Sequence, residues 1–121
     1  MAKQQIIGNL GEDTACTYLQ NAGYEILERN WRFQKAEVDI IALLGQTLIF
    51  VEVKAKTYIK FGAPEESVSL RKENMLVDAA VQYMSSLNHE QEIRFDIISI
   101  VFDTKMQPTI SHFKDAFFPG I

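Results

Sequence analysis

Glu37-Val-Asp-Ile-Ile-Ala-Leu-Leu-Gly-Gln-Thr-Leu-Ile-Phe-Val-Glu-Val-Lys-Ala55 is the stretch on which the fold turns. It holds two runs rich in β-branched residues, Glu37–Leu43 and Thr47–Ala55, separated by a short stretch around Gly45. That is the pattern of a β-hairpin. Side chains alternate faces along a strand. Ile49, Val51, Val53 and Ala55 therefore share one face of the second strand, and Leu48, Phe50, Glu52, Lys54 and Lys56 share the other. In the first strand Val38, Ile40 and Ala42 form the wholly apolar set, opposite Glu37, Asp39, Ile41 and Leu43. Making the two apolar faces coincide pairs odd positions of the first strand with even positions of the second, and a one-residue slip would break this. A two-residue turn at Gly45-Gln46 then sets Asp39 across from Glu52 and Glu37 across from Lys54, with Cβ atoms ~5 Å apart.

Two carboxylates that close repel unless something positive compensates. A shared proton, Lys54 or a divalent cation would serve, and hard cations such as Mg²⁺ commonly bind through one or two carboxylates plus substrate phosphates. Asp39, Glu52 and Lys54 thus offer two metal ligands and one nearby cation. The alternative is a solvated polar face. Against it, Ile41, Leu43, Leu48 and Phe50 lie on the charged face too, as in a sheet covered on both sides. Glu12 is a further candidate, flanked at helical spacing by the small residues Gly8, Ala15 and Cys16, which would let its helix approach another element closely. Its alternative is a surface glutamate.

Working outward, Ile7, Leu10, Thr14, Tyr18 and Ala22 recur at helical spacing, and Gly23 follows as a stop. Tyr24–Arg32 reads as a strand. Beyond the hairpin comes a loop at Phe61-Gly62-Ala63-Pro64. A helix over about Val68–Leu87 then carries Leu70, Val77, Ala80, Val81, Met84 and Leu87 on one face. Ile93–Phe102 and Thr109–Phe113 read as strands. This order of elements predicts a mixed sheet with helices packed on it.

At 121 residues the chain is read as one domain, 1–121. Its 47% hydrophobic content excludes disorder as the main state. No apolar run approaches the ~20 residues of a membrane span, so no membrane partner is expected. No secretory signal is visible. Cys16, the only cysteine, excludes a disulfide framework and suits a cytoplasmic setting; it is expected to be packed. His89 and His112 stand alone and are expected to be structural or surface residues. No glycine elbow or phosphate-cradling loop supports a serine hydrolase or a nucleoside triphosphatase. The net charge of −4 argues against binding polyanions by bulk charge. The charge is uneven, however. Arg29–Lys60 carries six positive and three negative residues, while the stretches on either side of it, Met1–Glu28 and Phe61–Glu92, are each net negative. Arg29, Arg32, Lys35, Lys56 and Lys60 lie in the basic stretch among Trp31, Phe33, Tyr58 and Phe61. Cations neutralise phosphates and aromatics stack on unpaired bases; Trp31 and Phe61 could equally be core.

The run Glu37-Val38-Asp39, then Phe50-Val51-Glu52-Val53-Lys54, resembles the PD-(D/E)xK nuclease signature. It is closest to the bacterial YraN-like family, distant relatives of archaeal Holliday-junction resolvases. The likeness extends over Gly11-Glu12, Gly23-Tyr24-Glu25-Ile26-Leu27, Asn30-Trp31-Arg32, Phe61-Gly62, Lys72 and Arg94-Phe95-Asp96. Ala36 stands where the family usually has glycine, and Lys56 where arginine is common. The resemblance implies a restriction-endonuclease-like α/β fold, a mixed central β-sheet flanked by helices. It implies that Asp39 and Glu52 hold Mg²⁺ or Mn²⁺, that Lys54 assists catalysis and that Glu12 completes the site. DNA, branched or single-stranded, is the implied substrate, with Arg32, Lys56, Lys60 and Lys72 as candidate contacts, and a homodimer follows by analogy. Two other functions are compatible with the same residues: a non-catalytic nucleic-acid-binding module, and a protein-interaction adaptor.

Overall fold

The computed structural model describes residues 3–57, 68–88, 90 and 92–117. Lys60, the loop expected at Phe61–Pro64 and His89 lie outside them. The chain runs α1 (Lys3–Asn21), β1 (Glu25–Phe33), β2 (Ala36–Leu44), β3 (Thr47–Thr57), α2 (Leu70–Leu87), β4 (Ile93–Phe102) and β5 (Pro108–Phe113). The strands form one sheet in chain order. Neighbours are antiparallel except β3 and β4, which run parallel because the connection through α2 returns the chain to the same end. This is the mixed sheet with flanking helices expected from the sequence, and it is consistent with a restriction-endonuclease-like fold. Among the described residues no helix is long and apolar enough to cross a membrane.

The β2–β3 register is the expected one: Leu44 pairs with Thr47, Leu43 with Leu48 and Ile41 with Phe50. Gly45 takes φ +62° in the two-residue turn, a conformation that costs glycine nothing. The ladder ends at Ile40–Val51, so the expected ladder pairings of Asp39 with Glu52 and of Glu37 with Lys54 do not form. From there β2 pairs only with β1, where Glu37 lies opposite Arg32. Val38 consequently packs with Trp31 and α2 rather than with Ile40 and Ala42, which corrects the expected face.

Each face of the sheet is covered by one helix. Ile7, Ala15, Cys16 and Leu19 of α1 pack on Ile40, Ile49, Val51, Ile98 and Ile100. Leu76, Ala79, Ala80 and Tyr83 of α2 pack on Ile41, Leu48, Phe50 and Phe95. Both helices are rotated from the stripes read in the sequence. Leu10 of α1 is 40% exposed while Gly11 is buried. A Cβ at Gly11 would stand 2.5 Å from that of Ala55, so the helix approaches the sheet through its smallest side chain. In α2, Leu70, Val81 and Leu87 are exposed and Tyr83 is buried. The Tyr83 ring meets Trp31 and Phe50 edge-on, at centroid distances of 5.1 and 6.2 Å. Trp31 is thus a core partner of α2. Ser69 caps α2, its hydroxyl accepting from the Lys72 backbone N–H.

Gly11→Ala tests the close approach. Helix propensity alone favours alanine by up to ~1 kcal/mol, but the clash with Ala55 should reverse the sign and cost about 1–3 kcal/mol. Urea unfolding should show this loss, with recovery in the Gly11→Ala/Ala55→Gly pair.

Candidate active site

Asp39 lies one residue beyond the last β2–β3 pair. Where β2 leaves, the N–H of Val53 on β3 would lose its partner, and a buried backbone donor must be satisfied. Asp39 Oδ2 accepts it at 2.8 Å. Glu52 is buried on the α2 face of β3. Its Oε2 lies 3.2 Å from Nζ of Lys72, while its Oε1 is buried without a hydrogen-bond partner. The α2 N-terminus thus brings Lys72 to this site.

Burial, and then the Glu52 carboxylate, push Asp39 up to about 8; Glu12 adds to the rise, while the Val53 N–H and Lys72 oppose it. Glu12 therefore lies near enough for its field to reach Asp39. Its Oε1 is 3.6 Å from Nη2 of Arg29, which also bonds Asp13 at 2.8 Å. Among the described residues no three acidic, histidine or cysteine side chains converge as a ready-made metal cage. Lys54 and Lys56 are partly buried on β3. Arg32 is 71% exposed and paired with Glu37 at 2.9 Å.

A second buried carboxylate, with no partner legible in the sequence, is Asp96 on β4. Oδ1 accepts from Arg94 Nε and the Asp115 backbone, both at 2.9 Å. Oδ2 accepts from Arg94 Nη2 at 2.8 Å and His112 Nε2 at 2.6 Å. All four lone-pair sites are filled. Tyr18 and Tyr24 extend the network, through His112 Nδ1 at 3.0 Å and Arg94 Nη2 at 2.8 Å. Burial pushes Asp96 up, but its hydrogen bonds to His112, Arg94 and the Asp115 N–H outweigh it and hold the carboxyl below its ordinary value. His112 is structural, as expected, and Cys16 is packed, with burial raising its thiol.

These two carboxylates should leave opposite marks on stability against pH. Asp39 keeps its proton in the fold at pH values where the unfolded chain has lost it, so it erodes stability as pH rises from about 4 to about 8. Asp39→Asn should gain on the wild type over that window in denaturant titrations. Asp96 is the reverse case: its stabilisation is full above its unfolded value and lost as pH falls through the lower folded one. Asp96→Asn should cost about 3–5 kcal/mol at neutral pH, and less under acid.

A family model, the uncharacterised protein family UPF0102, matches residues 11–100. That span includes all of the carboxylates described above. A UPF0102 protein of Flavobacterium psychrophilum is 46% identical over 118 residues, covering 98% of each chain. One from Chlorobium chlorochromatii is 45% identical, over 92% of this chain and 90% of its own. One from Rhodococcus opacus is 42% identical, over 97% of this chain and all of its own. Identity of this extent, in relatives of matching length, makes the chain a member of the bacterial UPF0102 family.

Proposed function

We propose that this protein is a Mg²⁺- or Mn²⁺-dependent endonuclease of the PD-(D/E)xK superfamily that hydrolyses phosphodiester bonds in DNA. The observation that carries the reading is the state of the Asp39–Glu52 pair. Glu52 Oε1 is buried without a partner, and Asp39 is pushed up to about 8 beside it. Lys72 opposes the rise without cancelling it. Oxygen ligands of this kind, completed by substrate phosphate, suit a hard divalent cation. Asp39 and Glu52 would hold it, with Glu12 joining once released from Arg29. When bound, such an ion lowers the pKa of a water and polarises a phosphoryl oxygen.

The chain's own residues have separable tasks. The Val53 N–H fixes the Asp39 carboxylate, as outer-shell bonds orient metal ligands. Lys54 follows Glu52 by two residues, so the strand period points it to the same face. There it meets the negative charge that grows on the phosphate during attack. Lys72 holds Glu52 neutralised in the absence of the ion, and together with Arg32, Lys56 and Lys60 it supplies phosphate contacts. With a total charge of −4, binding rests on this local set and weakens steeply with salt. A homodimer would offer two such sites to a symmetric branched substrate.

Branched, flapped and single-stranded DNA incubated with Mg²⁺ or Mn²⁺ test the reading. Cleavage is expected, abolished in Asp39→Asn and Glu52→Gln, and reduced roughly 10²–10³-fold in Lys54→Ala. Activity unchanged in the first two would overturn the site. Salt-dependent binding with no turnover would favour the binding-module alternative.

A further inference from the structure

A recess of ≈ 460 Å³ lies on the α2 side of the sheet. The tip of the β1–β2 hairpin forms one wall with Phe33, Lys35 and Ala36, and α2 forms the other with Arg71, Met75 and Asp78. The volume is in the range of small-ligand sites. Phe33, Ala36 and Met75 are apolar, Lys35 and Arg71 supply two cations, and Asp78 is a carboxylate acceptor. An unpaired nucleotide matches each part: a π-face for Phe33, a base-edge N–H donor for Asp78, and a phosphate for the cations.

The recess adjoins the carboxylates. Ala36 precedes Asp39 by three residues on β2, ~10 Å along the strand. Arg71 precedes Lys72, whose ammonium touches Glu52. A base in the recess and a phosphate at Asp39–Glu52 can therefore belong to one strand, one or two nucleotides apart. Bases in an intact duplex are stacked and cannot present a face without being flipped out.

We propose that this recess receives an unpaired nucleobase of the substrate strand, so that the protein selects flaps, branches or single strands over continuous duplex. This deepens the nuclease reading and rests on it for its purpose, but not for its test. Anisotropy titrations of a labelled oligothymidylate and of a duplex of equal length, in EDTA at low ionic strength, report binding without cleavage. Phe33→Ala should weaken single-strand binding roughly five- to a hundredfold and leave duplex binding within about twofold, while Phe33→Tyr, which still stacks, should retain wild-type affinity. Phe33 is partly buried, so a second variant at the exposed Arg71 guards against misfolding. Arg71→Gln should lower the slope of log affinity against log salt by about 0.7 for the single strand. Equal losses on both substrates, no loss on the single strand, or no single-strand binding by the wild type would overturn the proposal. The two readings fail separately. Selective loss of single-strand binding in a protein that cleaves nothing in Mn²⁺ sinks the nuclease and keeps the recess. Wild-type cleavage of flaps by Phe33→Ala sinks the recess and keeps the nuclease.

Discussion

Strand β3 is paired on both edges as far as Val51 and covered on both faces, and Leu48 to Glu52 are all buried. A carboxylate placed there cannot be solvated, and burying a charge is costly unless it is paired. Much of the nearby architecture answers that constraint. Helix α2 supplies Lys72 from above. β2 ends its ladder at Ile40, and Asp39 takes over the Val53 N–H that the ladder gives up. One oxygen of Glu52 is still left over. The sheet has been built around a charge that its own side chains only partly neutralise.

Asp96 shows that the fold can neutralise a buried carboxylate completely. It is fully enclosed, yet each of its lone pairs has a donor. The same chain therefore contains a saturated carboxylate that ties β4, β5 and α1 together, and, at the end of a ladder, a pair in which one Glu52 oxygen has no donor. Burial does not separate them. The count of donors does: Asp96 has one for every lone pair, and Glu52 Oε1 has none.

The hairpin was legible because two constraints coincide at it: a glycine turn of fixed length and an apolar alternation that tolerates no slip. Both act over a few residues. The helix faces were misread for a related reason. Spacing rules favour large apolar residues, whereas α1 meets the sheet through Gly11 and α2 through an aromatic with a hydroxyl, Tyr83. Val38 departs from the face that strict alternation predicts at the point where β2 has left β3 and pairs only with β1. The Asp96 network was invisible because His112 and Asp115 come from a different stretch of chain, and Tyr24 and Tyr18 lie further still. Lys72 is intermediate: its resemblance to a family position flagged it, but only the packing of α2 places its ammonium on Glu52.

The single parallel junction, between β3 and β4, has a consequence for the order of assembly. β1, β2 and β3 form a meander of short loops, which closes with little entropy loss. The β3–β4 ladder joins residues far apart in sequence, Leu48 to Ile93 among them, a separation of the kind that slows folding. Asp39 and Glu52 both belong to the local part of the chain, whereas the Glu52–Lys72 pair reaches across the longer connection. The far end of the hairpin, away from Gly45, therefore depends for one of its counter-charges on a contact that is distant in sequence.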